Sequence, residues 1–133
     1  MSIRAYTRLR KDDRGRSRRD DRGQAALEFL GWLPVLLLVG LLVVQLGLGA
    51  FAAQQAGTAA RAAARVVAER DPEMTAQQVA QETVSGWLAG GTDAVPNDWG
   101  DGVTVTVRIR VPSVIPGIDS FGPAEKSATM PAD

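Results

Sequence analysis

From Phe29 to Ala53 the chain carries no charged residue, and the stretch Leu33-Pro-Val-Leu-Leu-Leu-Val-Gly-Leu-Leu-Val-Val44 inside it is as apolar as a lipid tail. Wound as an α-helix at about 1.5 Å per residue, such a run reaches roughly 37 Å, more than the roughly 30 Å of hydrocarbon in a bilayer. Each Leu or Val favours insertion by about 0.5 kcal/mol, which outweighs the cost of Gln45 and the glycines. The competing arrangement, a helix buried in a soluble domain, needs apolar cover on every side. A chain of 133 residues has too little left over to supply it. The run therefore predicts a transmembrane span over about 29–53, with the residues beyond it forming one small module.

A formal net charge of zero hides a division that orients the span. Residues 1–22 hold nine Lys/Arg against four Asp, a balance of +5, so the rest of the chain sums to −5. A cationic flank before the span and an acidic remainder after it predict the orientation of a single pass. The N-terminus is then cytoplasmic and the C-terminal module extracytoplasmic. The tail is polar and almost free of apolar side chains after Leu9, a composition that predicts disorder. Asp12, Asp13, Asp20 and Asp21 dilute its basic character. It reads as a topology determinant, and no nucleic-acid partner is expected.

Nothing stops the helix after the span. Pro34 predicts a local kink early in it. Gly49, Ala53, Ala56, Ala60 and Ala64 recur at intervals of three or four, a stripe of small residues that lets another helix approach closely; the helix propensity of alanine explains the same residues without a partner. Arg61, Arg65 and Glu69 share a face beyond the apolar run, so the helix has emerged there into water or headgroups. Asp71-Pro72 marks its end, giving one helix over about 24–70 and a module over 71–133. Thr75-Ala-Gln-Gln78 has the form of a capping box. Ala76, Val79, Ala80, Thr83, Val84 and Trp87 make one face of an amphipathic helix to about Leu88, stopped by Gly90-Gly91. A loop of turn-forming residues leads to Gly102. Val103 to Val111 then alternates without a fault, with Val103, Val105, Val107, Ile109 and Val111 on one face. That face needs cover from the amphipathic helix or from the emerged part of the long one. A second, weaker strand is predicted over about 124–130, paired with the first as a wide hairpin. The fold class is α+β: a long N-terminal transmembrane helix continuing into an exported helix, a short amphipathic helix, and a small antiparallel β-hairpin.

Neither cysteine nor histidine occurs. Their absence removes disulfides, thiolate metal sites, the commonest zinc ligand and the commonest general base. No glycine loop has phosphate-binding form. Asp93, Asn97, Asp98 and Asp101 supply oxygen ligands of the kind calcium takes, but without the twelve-residue spacing and terminal Glu of an EF-hand, and turn chemistry explains them as well. No metal, cofactor or small-molecule substrate is expected, and the chain does not read as an enzyme.

Glu28 stands at the mouth of the apolar run. An ionisable group within a membrane span is costly and ordinarily has a partner. At headgroup level, by contrast, the helix dipole favours an acid near a helix start. The setting bears on the choice: Gly23 follows the basic tail, Glu28 comes five residues later, and Phe29 follows at once. That arrangement resembles the class III signal of type IV pilin-like precursors. The resemblance implies cleavage by a membrane aspartyl prepilin peptidase between Gly23 and Gln24, on the cytoplasmic side. Residues 1–23 are then a leader and Glu28 is fifth in the mature chain. The new amine near the bilayer surface needs a counter-charge, which Glu28 of a neighbouring helix would supply during assembly. The small Gly23 would let the backbone enter the peptidase cleft extended.

The likeness narrows further along. Gly-Gln-Ala-Ala-Leu-Glu-Phe, Leu33-Pro34 before a Leu/Val run, Ala53-Gln-Gln-Ala and Ala59-Ala-Arg-Ala-Ala-Ala-Arg65 together resemble the TadE family of pilin-like proteins from tight-adherence (Tad/Flp) pilus systems. The alternating strand and the ending Ser127-Ala-Thr-Met-Pro131 fit the short C-terminal region of that family. Major Flp pilins are much shorter after the helix and usually carry Tyr where Phe29 stands, so the resemblance implies a minor pseudopilin with a pilin-like fold. Its partners would be the membrane, a prepilin peptidase, other pilins and pilus assembly-platform proteins, and it could reach a surface pilus. The alternative is a secreted or membrane-anchored binding module, freed by a signal-peptidase cut at Ala50-Phe-Ala52 or held by the uncut segment. The apolar region exceeds the roughly 7 to 15 residues of a secretory signal.

Overall fold

A computed structural model describes residues 13–71 and 73–132 of the chain, with side chains from Gly23 onward. The elements in order are α1 (Asp13–Ala68), α2 (Ala76–Thr83), α3 (Gly86–Ala89), β1 (Thr92–Asp98), β2 (Gly102–Pro112) and β3 (Ser120–Pro131). The chain divides between Gly40 and Leu41 into two units. The first holds the early part of α1, and the second holds the rest of α1 with the helix-and-sheet head.

α1 begins at Asp13, inside the segment whose composition predicts disorder. Arginine is a good helix former, and extending a helix costs far less than nucleating one, so the apolar run carries the helix back into Arg14–Arg22. The remainder of the tail, 1–12, lies outside the described residues. Pro34 sits inside α1 without ending it. The far end stops at Ala68, ahead of Asp71-Pro72: Arg70 takes a left-handed φ of 52°, and Asp71 N–H donates to Val66 O at 3.3 Å. This is a glycine-type helix ending built without glycine. Arg65 and Glu69 pair on the exposed surface at 2.9 Å, and the bond to Glu69 holds the guanidinium above its usual range.

The sheet is antiparallel with β2 in the centre. Val103, Val105, Val107, Ile109 and Val111 all point inward and are buried, as the alternation predicts. Both expected covers are used. Ala52, Ala56, Ala59, Ala60, Ala63 and Ala64 of α1 and Ala76, Val79 and Ala80 of α2 lie in one core with these strand residues. The alanines carry no bulk beyond Cβ, so the helix backbone comes close to the sheet while the β-branched side chains fill the space between. Opposite them on β3, Ala124 and Ala128 pair with Ile109 and Val105, leaving room for α1 beside that strand.

The head departs from the expected hairpin in two places. Residues 92–98, where turn chemistry predicts a loop, form β1, which pairs with β2 from Thr92↔Ile109 to Asp98↔Val103. Pro96 is tolerated because β1 is an edge strand, where a missing N–H breaks no ladder. The amphipathic helix is also not continuous to Leu88. It ends at Thr83, Val84 is extended, and α3 restarts at Gly86. The break is held by Gln55 of α1, whose Nε2 donates to Ser85 Oγ at 2.8 Å and whose Oε1 accepts from Ser85 N–H at 2.6 Å. The capping box forms as expected, with Gln78 N–H donating to Thr75 Oγ1 at 3.2 Å and Thr75 N–H donating to Gln78 Oε1 at 3.0 Å.

The open edge of β1 is closed by another carboxamide. Gln77 Nε2 donates to Thr92 O at 2.7 Å, and Gln77 Oε1 accepts from Ala94 N–H at 2.7 Å, so the side chain takes the place of a neighbouring strand. Gln77→Ala leaves both backbone groups without these partners and is expected to cost the head about 1 to 2 kcal/mol. Urea unfolding of the detergent-solubilised chain measures this, and a midpoint equal to that of the parent chain would contradict it.

Candidate membrane anchor and processing segment

In the first unit, the residues from Gly23 to Gly40 are exposed throughout, including Leu27, Phe29, Leu30, Trp32, Leu33 and Leu36. The most apolar 18-residue window of the helix has a mean hydropathy of 2.5, and only 11% of it is buried. The core helix of a soluble domain is mostly buried. This one presents Leu and Val on all sides, and only a solvent of similar polarity satisfies that surface. Gly23, Gln24, Glu28 and Phe29 all lie within α1 and all are exposed. A Cβ added at Gly23 would meet nothing within 4 Å, so packing within the chain does not require glycine there.

In the second unit the surface of α1 changes at Gln45. The residue is 94% buried, although Val43 and Val44 before it and Leu46 after it are exposed. Its Nε2 donates to Pro112 O at 3.2 Å and its Oε1 accepts from Val114 N–H at 2.9 Å. The one strongly polar side chain of the charge-free run is thus satisfied by the backbone of the β2–β3 loop, which removes most of its cost in an apolar setting. The spacing of small residues does not reveal this contact; a glutamine alone in a lipid-like run is the signal that could have.

The small-residue stripe divides. Ala56, Ala60 and Ala64 are fully buried, and the close approach they permit is made to the sheet of their own chain. Gly49 and Ala53 are half-buried and line an open groove of about 360 Å³ with Leu46, Val111 and Phe121. In the turn after β1, Asp98 Oδ1 accepts from Gly100 N–H at 2.8 Å, and Gly100 has a φ of 86°. Among the described residues no three acidic side chains gather as a metal site would need.

The chain joins an α+β head to a helix that is long and apolar enough to cross a membrane, as in a membrane-anchored protein. Residues 23–65 match the family described as TadE-like protein, so the resemblance read from the sequence is borne out over the helix, and the match opens at Gly23. No curated protein and no solved structure matches the chain.

Proposed function

We propose that this protein is a minor pseudopilin that takes part in assembling a Tad/Flp-type pilus, in a structural rather than a catalytic role. A prepilin peptidase removes residues 1–23 on the cytoplasmic side, Gln24 becomes the mature N-terminus, and the head lies outside the membrane. Glu28 then serves as the counter-charge through which the helix joins other pilins and the assembly platform. The observation that carries this reading is the TadE-like match beginning at Gly23, five residues before Glu28, the last charged residue ahead of the exposed apolar run. The signal-peptidase alternative has less support: Ala52 is fully buried in the core of the head, and a cut there would separate the β2–β3 loop of the released part from Gln45, which holds it.

Co-expression with the peptidase and mass spectrometry of the membrane form test the proposal. The expected chain begins at Gln24. An intact Met1 end, or a chain beginning at Ala53, would count against it.

A further inference from the structure

We propose that the β2–β3 loop and the aromatic pair near it form a second membrane contact, seated at the headgroup and acyl boundary of the outer leaflet. This rests on the membrane reading of α1 given above. The loop is tied to the helix at Gln45, through Pro112 O and Val114 N–H. On either side of that tie α1 shows Val43, Val44 and Leu46, the last 74% exposed. A loop held at the level of side chains that need lipid is itself at lipid depth.

Its composition and backbone suit that depth. From Val111 to Ala124 the chain carries one charge, Asp119, and Val114, Ile118 and Phe121 are 36%, 42% and 49% exposed. Irregular backbone near hydrocarbon must satisfy its own polar groups. Here Val114 N–H is taken by Gln45, Ile115 N–H by Ser113 Oγ and Ile118 N–H by Ile115 O, while Pro116 has none to satisfy. Phe51 lies six residues beyond Gln45, about 9 Å along the helix. It stacks on Trp87 with ring centroids 6.2 Å apart and planes 7° from parallel, and both rings remain exposed. An exposed Trp-containing pair one step outward from an apolar surface is the arrangement found at membrane–water interfaces. The occupant is lipid rather than a second copy of the chain, because the patch continues the lipid-facing surface of α1 through Leu46 and Phe121, which line the same groove.

The chain has no cysteine, so single fluorophores can be placed at Ile118→Cys and Phe121→Cys in the full-length protein, with Leu46→Cys and Thr106→Cys as references. In phosphatidylcholine–phosphatidylglycerol vesicles, labels at 118 and 121 should lose fluorescence to doxyl lipid as fully as the label at 46 and resist aqueous iodide, and the label at 106 should do the reverse. Iodide quenching at 118 and 121 equal to that at 106, with 46 still quenched by lipid, would overturn this contact and leave the membrane reading standing. Energy transfer between copies at 118 with neither quencher effective would assign the patch to a second copy and also overturn it. Iodide quenching at 46 would defeat the membrane reading itself, and this contact with it.

Discussion

Glu28→Ala should leave the chain cut at Gln24 and absent from the assembled pilus complex. The carboxylate is exposed at the start of a charge-free helix surface, so its removal disturbs no packing of the chain and, on the proposed processing, leaves the leader open to the peptidase. On the same proposal the loss would appear only when the new amine enters an apolar setting beside a neighbouring helix. A unit pair about 4 Å apart at an effective dielectric of about 20 attracts by about 4 kcal/mol, close to a thousandfold in an assembly equilibrium. Glu28→Gln keeps the shape and removes the charge, and should fail in the same way, whereas Glu28→Asp should retain part of the incorporation. Co-purification of processed chain with the other pilus subunits reads the result. Normal incorporation of the Gln variant would end the counter-charge argument.

A second large effect is expected in the core of the head. Ala60→Glu forces four side-chain heavy atoms and a charge into a fully buried site between α1 and the sheet. Overpacking alone costs about 1 to 3 kcal/mol, and a buried carboxylate without a partner adds several more. A total above about 4 kcal/mol is a large share of the 5 to 15 kcal/mol that holds a typical domain. Most of the head should therefore become sensitive to protease in mild detergent. Arg61→Glu places the same residue one position along, on the exposed side of the helix, and should shift stability by no more than about 0.5 kcal/mol. Equal protease resistance in the two variants would mean that the alanine face does not carry the core.

The contrast between Ala60 and Arg61 also marks how far reasoning from sequence reaches. A stripe of small residues announces a close approach but does not name what approaches. Read alone, Gly49, Ala53, Ala56, Ala60 and Ala64 suit another helix, and three of the five close instead on β2 and β3 of the same chain. The glutamines were less legible still. Gln55 and Gln77 look like ordinary polar positions and only Gln45, alone in a lipid-like run, stands out, yet each holds backbone or side-chain groups of a distant segment, because a carboxamide can donate and accept at once where a neighbouring strand or turn would otherwise be needed.

The apolar run, the capping box at Thr75 and the inward face of Val103 to Val111 were determined by the sequence by itself. Each depends on local periodicity or on transfer free energy, which are properties of a segment and not of its neighbours. Strand β1 was decided only in three dimensions: Thr92 to Asp98 has the composition of a turn, and it is extended because β2 offers it a ladder and Gln77 closes its far edge. The same holds for the seat of the β2–β3 loop on Gln45. Hydrogen bonds between residues 67 and 69 positions apart leave no trace in local pattern, since their energy exists only once the head has folded against the helix.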